Sequence, residues 1–577
     1  MDAKSGTSAP TSVNLPWLKA YPEGIDWAMP LTPQPLTQLL DTAARDYPQN
    51  PAISFKGKVQ TYAELASQVA TVAAGLQSAG VNKGTRVGLF LPNTPAFIIY
   101  YFAILKAGGT VVNFNPLYTL EELSFQVRDS GTEIMVTHDL KALFDKVEAL
   151  IGSGVLARSI VVPFAPMLPA ATAVLFKLLK RKDVAIVGAS KVRDRVISGA
   201  SMSQRGRSFK PVAINPSEDV AVLQYTGGTT GTPKAAMLTH ANLQANAQQI
   251  STWATGLVQG QERVLGVLPL FHVFAMTVVM NMGIAKAAKI ILMPRFQLDE
   301  ALKLINKEKP TMMPAVPTIF TAMNNHPKLK NFDLSSLKFC ISGGAPLPLE
   351  VKLRFEELSG SSVVEGYGLS EASPVVTCNP MERPPVPGSI GLPIPGTIVS
   401  LRDLDDSTKE VAPGERGEVC VKGPQVMKGY WNKPNETAAQ FVGDYLKTGD
   451  VAVMDKDGYF FIVDRIKDLI ICSGFNVYPR RIEDAIYEHP AVQEVTVIGI
   501  KDAYRGEAPK AFIKLKAGMT ATAADIMKHL EPKIAKMEMP SQIEFRDALP
   551  KTMIGKLSKK ELVAEENAKE KKKEKGA

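Results

Sequence analysis

Short apolar runs alternate with longer, helix-compatible segments along most of the chain. The run Ala52-Ile-Ser-Phe55 predicts a strand, and Tyr62 to Ala79, closed by Gly80, predicts a helix. A strand over Arg86 to Leu91 and a helix over Ala96 to Lys106 continue the alternation. Apolar strands that alternate with helices are typical of parallel sheets covered on both faces. The pattern therefore predicts an α/β fold with parallel-rich sheets and packed helices.

The pattern changes after about Pro380, where proline and glycine become frequent and the strands become shorter. We expect a small barrel-like region there, with Gly417 to Val421 as one of its strands. Beyond Asp464 to Asp468, helices and strands predict a small α+β unit. A chain of 577 residues is too long to form a single hydrophobic core. Several structural units are therefore expected. These are a flexible N-terminal segment (1–30), a large domain (31–464), a small mobile C-terminal domain (465–564) and a charged tail (565–577).

The chain carries 66 basic and 57 acidic residues, which gives a net charge of +9. Part of the excess comes from C-terminal lysines between Lys569 and Lys575, and no aromatic residues are interleaved with them. This composition predicts a solvated, disordered tail and no nucleic-acid partner. The polar residues 1–14 predict no secretory signal, and four separated cysteines without a C-x-x-C pair fit a reducing cytoplasm.

One segment, Ser159 to Phe176, contains no charged residue, although three prolines interrupt it. Prolines at this density make a membrane-spanning helix unfavourable. Ala170 to Leu179 predicts a short apolar helix, followed by the cations of residues 180–182. The favoured interpretation is a helix buried in the core. The alternative is that residues 159–182 form an interfacial segment that rests on an anionic membrane surface.

The loop Tyr225-Thr-Gly-Gly-Thr-Thr-Gly-Thr-Pro-Lys234 follows an apolar strand and precedes a helix that starts near Thr239. Glycines allow backbone N–H groups to turn toward an anion, and threonine hydroxyls add further donors. The loop does not match a Walker A motif, because Pro233 precedes its lysine. It predicts a phosphate-binding loop of another kind.

Other side chains suited to binding follow in a defined order. Tyr367 offers an aromatic face to a purine, and Glu371 offers a hard oxygen ligand to Mg²⁺. The carboxylate of Asp450 suits ribose hydroxyls, and Lys556 follows a glycine near the C-terminus. Taken alone, His272 would be interpreted as an ordinary core histidine. Together and in this order, these residues indicate a functional site rather than unrelated features.

The sequence resembles the adenylate-forming (ANL) superfamily from about Leu36 to Val563. This superfamily includes acyl-CoA synthetases, luciferases and the adenylation domains of peptide synthetases, and the chain is most similar to bacterial long-chain fatty acyl-CoA synthetases. The segments that carry this similarity are Asn113-Phe-Asn-Pro-Leu-Tyr-Thr119, Gln224-Tyr-Thr-Gly-Gly-Thr-Thr-Gly231, Gly423-Pro-Gln-Val-Met-Lys-Gly-Tyr-Trp431 and Ser473-Gly-Phe-Asn-Val-Tyr-Pro479.

The resemblance implies an ATP-dependent long-chain fatty acid:CoA ligase that uses Mg²⁺, ATP and coenzyme A. The fatty carboxylate would attack the α-phosphate of ATP to give acyl-AMP and pyrophosphate, and the coenzyme A thiol would then displace AMP. A ligase for another carboxylic acid or a carrier protein is an alternative, as is a non-catalytic lipid-binding or membrane scaffold. The expected location is the cytoplasm, with peripheral contact on the inner face of the cell membrane and a homodimer as further expectations.

The same resemblance implies roles for the matching residues. The catalytic residues would be Lys556, His272, Thr226 and Glu371, with Glu371 and Thr226 also at the metal. Lys467 would be the hinge about which the C-terminal domain turns. Coenzyme A would contact Ser473, Gly474 and Phe475, and the acyl group would contact His272, Met276 and Gly343. ATP or AMP would contact Thr226, Gly227, Gly228, Thr229, Thr230, Gly231, Lys234, Gly344, Ala345, Pro346, Glu365, Gly366, Tyr367, Gly368, Ser370, Asp450, Ile462, Arg465 and Lys556.

Two positions depart from the pattern of the superfamily. Ser370 replaces the usual threonine before the metal-binding glutamate, and it keeps the hydroxyl. Met276 stands where some long-chain enzymes have a gating tryptophan. A flexible methionine still suits an apolar tunnel, but the tryptophan gate is not carried over to this chain.

Overall fold

The computed structural model describes residues 15–202, 209–226, 233–472, 475–502, 504–552 and 555–575. Within these residues the chain forms a large N-terminal domain, built on two mainly parallel sheets, and a smaller α+β C-terminal domain. A third, antiparallel sheet lies between them in the sequence. The predicted α/β fold class is confirmed.

The two large sheets hold the strands that were predicted from the apolar runs. In spatial order the first contains β2 (Lys58–Thr61), β1 (Pro51–Phe55), β11 (Lys289–Leu292), β10 (Arg263–Gly266), β12 (Met312–Ala315), β13 (Phe339–Gly343), β14 (Ser362–Gly368), β15 (Val375–Cys378) and β16 (Leu392–Pro393). The second contains β7 (Val196–Ser198), β6 (Arg158–Val162), β5 (Ile134–His138), β3 (Arg86–Leu89), β4 (Thr110–Asn113), β8 (Val220–Thr226) and β9 (Lys234–Thr239).

The two smaller sheets follow the change in sequence pattern. The third sheet contains β17 (Ile398–Arg402), β18 (Gly417–Lys422), β20 (Tyr445–Met454) and β19 (Phe441–Val442), with β21 (Phe460–Arg465) also paired to β20. The fourth contains β23 (Phe475–Val477), β22 (Ile470–Cys472), β25 (Gly506–Leu515) and β24 (Val492–Asp502), with β26 (Gln542–Phe545) parallel to β25. The chain therefore leaves the third sheet at Arg465 and enters the fourth at Ile470.

Helices connect and cover these strands. Those of the described residues are α1 (Gln38–Asp46), α2 (Tyr62–Ser78), α3 (Pro95–Lys106), α4 (Leu120–Ser130), α5 (Lys141–Gly152), α6 (Ala170–Leu179), α7 (His240–Trp253), α8 (Met282–Ala285), α9 (Leu298–Glu308), α10 (Pro317–Asn324), α11 (Leu349–Ser359), α12 (Pro434–Gln440), α13 (Pro479–Tyr487), α14 (Ala523–Leu530) and α15 (Lys559–Lys575).

Helix α3 shows why the core lies where it does. Its residues Phe97, Ile98, Tyr101 and Phe102 are all fully buried, and a helix that is apolar on every side must be enclosed by other elements. The main hydrophobic core includes this helix together with strands of both large sheets. Pro95 occupies the first turn, where a missing N–H leaves no hydrogen bond unmade.

Three expectations from the sequence were wrong. Residues 15–30, assigned to a flexible segment, pack against the domain: Trp17 is buried beside Phe460, and the Trp27 indole N–H donates to the Thr397 carbonyl. The charged tail from residue 565 is not disordered but continues α15 to Lys575. Its Glu566 carboxylate pairs with the ammonium of buried Lys510 on β25 at 3.0 Å. Ala, Glu and Lys favour helix, so ion pairs were enough to extend it.

The third wrong expectation concerns α6, which was interpreted as a helix buried in the core. None of its residues is buried. Leu178 is 72% exposed and Leu179 is 73% exposed. Apolar composition predicted the helix correctly but could not say whether another element covers it.

Candidate active site

The Tyr225–Lys234 loop joins two antiparallel strands. Thr226 ends β8 and pairs with Lys234, which begins β9, so a strand precedes the helix that starts after Thr239. The Thr226 hydroxyl donates to the Lys234 carbonyl at 3.4 Å. Residues Gly227, Gly228, Thr229, Thr230 and Gly231 lie outside the described residues. The structure thus fixes the two ends of the predicted phosphate loop.

Tyr430 lies between Lys234, at the end of the loop, and Glu371, the predicted metal ligand, and contacts both. The Lys234 ammonium lies 4.8 Å from the centre of the Tyr430 ring. The Tyr430 hydroxyl donates to Glu371 Oε1 at 2.8 Å, and the Met427 N–H donates to the Glu371 carbonyl oxygen at 2.8 Å. The pKa of Tyr430 is raised, first by burial and then by the Glu371 charge, so its hydroxyl remains a donor.

Tyr430 was given no role from the sequence, although it lies in one of the segments that carry the resemblance. Its hydroxyl leaves one Glu371 oxygen available to another partner. Mg²⁺ is usually bound by one or two carboxylates together with substrate phosphates. Among the described residues, no group of three or more His, Cys, Asp or Glu side chains could hold a metal ion. A single carboxylate beside a phosphate loop fits Mg²⁺ carried in by a nucleotide.

A second cluster joins three elements around Asp450. The Tyr367 hydroxyl donates to Asp450 Oδ2 at 2.6 Å, and Arg465 Nε pairs with Asp450 Oδ1 at 2.9 Å. Asp450 and Arg465 are cross-strand partners on β20 and β21, which explains their contact. Burial and the Asp450 charge raise the pKa of Tyr367, and the Asp450 charge raises the pKa of Arg465. Ile462 lies on β21 as well, opposite Ala452.

The ends of β13 and β14 form the floor between these clusters. Gly343 pairs with Gly366, and Gly344, Ala345 and Pro346 follow directly. Glu365 accepts a hydrogen bond from the Leu347 N–H at 3.2 Å, and burial raises its pKa. This carboxyl therefore fixes the turn after β13. Gly368 ends β14, and Ser370 begins the short turn that carries Glu371.

Lys556, from the C-terminal domain, reaches this floor. A Cβ added to Gly344 would come within 2.8 Å of the Lys556 Nζ, so glycine leaves the space that the lysine occupies. Gly344 also has a φ of +83°, a conformation that L side chains rarely adopt. The Thr318 hydroxyl donates to the Gly555 carbonyl at 2.8 Å and anchors the approach. Burial, followed by the Arg465 charge, lowers the pKa of Lys556 to about 8.

His272, which was expected beside the acyl carboxylate, lies close to Lys556. Burial and the charge of Lys556 lower the pKa of His272 to about 3, so the ring is neutral. Its Nδ1 accepts from the Phe274 N–H at 3.3 Å, which leaves the proton on Nε2. Met276 is the second residue of a π-helical segment (Ala275–Asn281), and its sulfur accepts from Asn113 Nδ2 at 3.4 Å. The ring of Phe274 lies 3.1 Å from an added Cβ at Gly343.

The proposed hinge and coenzyme A residues follow β21 in the sequence. Lys467 is in the short 3-10 turn between β21 and β22, where the chain passes between sheets. Burial and the Arg465 charge lower the pKa of Lys467. Ser473 and Gly474 lie outside the described residues. Phe475 begins β23, on the edge of the fourth sheet.

Comparison with known proteins identifies two matching families. An "AMP-binding enzyme" family model matches residues 40–431, and an "AMP-binding enzyme C-terminal domain" model matches residues 481–556. The long-chain-fatty-acid–CoA ligase of Bacillus subtilis is 43% identical over 96% of this chain and 98% of its own length. The ligase of the same name from Salmonella typhimurium is 39% identical over 95% of this chain and 97% of its own length.

Solved structures give the same result for the fold. ATP-bound MatB from Rhodopseudomonas palustris matches with a TM-score of 0.79 and 29% identity, covering 92% of this chain and 98% of that one. The anthranilate CoA ligase AuaEII in complex with anthranoyl-AMP matches with a TM-score of 0.79 and 25% identity, covering 94% and 99%. In the part of the chain that the structure describes, no helix has the length and apolar character needed to cross a membrane.

Proposed function

The chain belongs to the AMP-binding enzyme family, and we propose that it is an ATP-dependent long-chain fatty acid:CoA ligase acting through an acyl-AMP intermediate. The observation that carries this proposal is the position of Lys556 over Gly344, beside neutral His272 and near the Tyr367–Asp450–Arg465 cluster. Relatives of nearly the full length of this chain are named long-chain-fatty-acid–CoA ligase, which supports the choice of acid.

In the first half-reaction, a carboxylate oxygen of the fatty acid forms a bond to the α-phosphorus of ATP. The bond from that phosphorus to the bridging oxygen breaks, and pyrophosphate leaves. Lys556 and the N–H groups of the phosphate loop neutralise the charge that accumulates on the α-phosphate. His272 lies beside the acyl carboxylate, and because its ring is neutral it does not compete for that charge. Mg²⁺, held by Glu371 and by the nucleotide, would neutralise phosphate oxygens when bound.

Nucleotide recognition falls to the second cluster. Tyr367 stacks on adenine, and Asp450 and Arg465 hold the ribose hydroxyls. The ion pair between Asp450 and Arg465 sets the orientation of the carboxylate before the nucleotide arrives, which reduces the cost of ordering it on binding. Thr226 and Ser370 supply hydroxyl groups near the phosphates and the metal.

In the second half-reaction, the coenzyme A sulfur bonds to the acyl carbon, and the bond from that carbon to the AMP oxygen breaks. We place the hinge at Lys467 in the turn between β21 and β22. Rotation there withdraws Lys556 and brings Ser473, Gly474 and Phe475 to the coenzyme A path. The large unit at 31–464 and the small one at 465–564 are the two bodies of this movement.

Dependence on coenzyme A tests the proposed reaction. Purified protein is incubated with palmitate, ATP and Mg²⁺, and AMP is measured with and without coenzyme A. Multiple turnovers of AMP should require coenzyme A, with palmitoyl-CoA formed in equal amount. Sustained AMP release without coenzyme A would contradict the ligase assignment. Omission of Mg²⁺, with a chelator added, should abolish both products.

We further propose that α6 attaches the enzyme peripherally to the inner face of the cell membrane. Its apolar face, formed by Val174, Leu175, Leu178 and Leu179, is exposed and is called the α6 face below. The cations at 180–182 follow directly. Exposed apolar side chains beside cations suit the boundary of an anionic bilayer.

Sedimentation with vesicles tests this attachment. We expect the double variant Leu178→Asp/Leu179→Asp to bind phosphatidylglycerol vesicles about tenfold more weakly, since two inserted side chains and the surface attraction are lost. Leu353→Asp is the control, because Leu353 is also an exposed leucine, at 55%, but lies on α11. Equal sedimentation of the two variants would argue against attachment through α6.

A further inference from the structure

A cavity of about 420 Å³ lies in the large domain, away from the candidate active site. Its walls come from α2, α3, the β1–β2 hairpin, and the segments around residues 162–167 and 199–202. None of the described residues assigned to nucleotide, metal or coenzyme A lines it. Pockets of a few hundred Å³, mostly apolar with a few placed polar groups, are typical of small-molecule sites.

Both apolar and polar side chains line the cavity. The apolar part includes Phe55, Val72, Ile99, Val162 and Met167. The polar part is Lys58, Gln60, Ser67, Gln68 and Thr71. This division suits a ligand with one alkyl chain and one polar head group.

Lys58 supplies a cation to the polar side. Lys58 is exposed, its ammonium donates to the Pro166 carbonyl at 2.8 Å, and it takes part in no ion pair among the described residues. Gln60 donates to Gln68 at 3.3 Å, while its own Oε1 is buried without a hydrogen-bond partner among the described residues. The buried hydroxyl of Tyr100, on α3, also has no hydrogen-bond partner among the described residues. Buried polar atoms are normally hydrogen-bonded, so both favour a bound polar group.

The cavity lies directly beneath the chain that leads into α6. Phe164 packs edge-on against Phe55, with ring centres 6.2 Å apart, and its ring is tilted against that of Phe176 of α6, with centres 5.2 Å apart. Pro163, Pro166 and Met167 of the same segment line the cavity. A ligand that arrives at the α6 face from a bilayer would therefore find the cavity next to it.

Helix α3 separates the cavity from the proposed acyl site. Tyr100 lines the cavity, and the next residue, Tyr101, contacts Asn281 at the end of the π-helical segment that follows His272. The two sites therefore lie against different faces of one buried helix. A ligand in the cavity would not touch the reacting carboxylate.

We propose that this cavity is a second, non-catalytic site for a free fatty acid, with the alkyl chain against the apolar wall and the carboxylate at Lys58. A ligand with a single alkyl chain is favoured, because the cavity volume suits one small ligand and Lys58 is the one cation among the described residues that line the cavity. The proposal goes beyond the ligase assignment and does not depend on it.

Binding to an enzyme whose catalytic site is blocked tests the proposal. Lauroyl-sulfamoyl adenosine, a stable mimic of lauroyl-AMP, is added until AMP release stops, and bound radiolabelled laurate is then measured by equilibrium dialysis. We expect about one equivalent of laurate to remain bound. No laurate binding to the blocked enzyme would overturn the proposal. AMP release before blocking reports on the ligase assignment separately.

Variants of the cavity wall locate the remaining laurate. Thr71→Trp, which fills the cavity from α2, should lower its affinity by at least tenfold, whereas Ala63→Trp on the exposed surface of the same helix should not. Lys58→Met should weaken laurate about tenfold but leave dodecanol unchanged, because only laurate carries a charge. Unchanged laurate affinity in both cavity variants would contradict the assignment, even if one of them were poorly folded.

A competition arm distinguishes a free acid from a phospholipid tail. Phosphatidylglycerol vesicles are added to the blocked enzyme in the presence of a constant free laurate concentration. Laurate that remains bound supports the fatty-acid site. Loss of bound laurate in the wild type, but not in the double variant Leu178→Asp/Leu179→Asp, would show that the cavity takes a lipid tail and would overturn the fatty-acid assignment.

Discussion

The charged side chains of the proposed nucleotide site and the lysine beside α6 differ in how many partners hold them. Asp450 is held by two partners, Tyr367 and Arg465, and Glu371 is held by Tyr430. At the cavity beneath α6, Lys58 contacts only a backbone carbonyl among its described hydrogen-bond partners. Charges fixed by several partners keep a defined geometry, which catalysis requires. A charge with fewer partners suits a ligand or a surface that has to be attracted but does not have to be positioned precisely.

The largest expected effect comes from removing the Lys556 ammonium from the proposed active site. Lys556→Ala should slow acyl-AMP formation on the order of 100- to 1,000-fold, as for the loss of one donor to a transition-state charge. Thioester formation from supplied acyl-AMP and coenzyme A should be largely retained, because Lys556 has no part in that step. Single-turnover assays of each half-reaction measure both. If both halves were unaffected, the role of Lys556 would be wrong.

A smaller effect is expected from crowding the same lysine. Gly344→Ala places a Cβ within 2.8 Å of the Lys556 Nζ, so the ammonium must move, and acyl-AMP formation should fall about 10- to 100-fold. Gly360→Ala is the matched control. Gly360 also has a positive φ, of +69°, but an added Cβ there meets nothing within 4 Å.

Both glycine variants should lose about 1 kcal/mol of stability from backbone strain. Thermal unfolding measures the stability of the two variants. The rates of acyl-AMP formation then separate the effect of backbone strain, which both share, from the displacement of Lys556, which only Gly344→Ala causes. Equal rates in the two variants would mean that the space at Gly344 is not needed for the position of Lys556.

The pH dependence of acyl-AMP formation should follow Lys556. Its pKa is lowered to about 8 in the docked position, so kcat/KM should fall as the pH rises above about 8 and the ammonium loses its proton. The pH affects the docking of the Lys556 side chain against Gly344 in the opposite direction. Because docking lowers the pKa of Lys556, docking becomes more favourable as the pH rises from about 8 to the ordinary pKa of 10.5. The decline is therefore a loss of charge, not of docking.

Lys556→Arg provides the check, since an arginine remains protonated throughout this range. The alkaline decline should move to higher pH in this variant, whatever its absolute rate. A decline at the same pH in both proteins would assign it to another group.

The smallest effect on the reaction rate is expected from substitutions in the α6 face. Leu178→Asp/Leu179→Asp should leave kcat/KM for a soluble acid such as octanoate within about twofold, because surface changes away from the site cost little. With palmitate supplied in anionic vesicles, the same variant should be slower. A large loss with octanoate would mean that α6 supports the active site itself.

Much of the candidate site could be predicted because its residues lie in short, ordered segments with specific chemistry. Tyr367, Glu371, Asp450 and Lys556 were selected from the sequence, and the structure places each in one of two neighbouring clusters or against Gly344. Tyr430 was missed because a tyrosine is ordinarily a packing residue and nothing in the sequence around it indicates a contact with Glu371. Only its contact with Glu371 separates it from the others.

The sequence by itself determined the alternation of strands and helices and allowed the candidate site residues to be selected, because both depend on local periodicity and on residue chemistry. Only the tertiary structure decided that α6 is exposed, that residues 15–30 are packed and that α15 extends through the charged tail. Whether an apolar or charged face finds a partner depends on elements distant in sequence, such as β25 beneath Glu566. No local pattern carries that information.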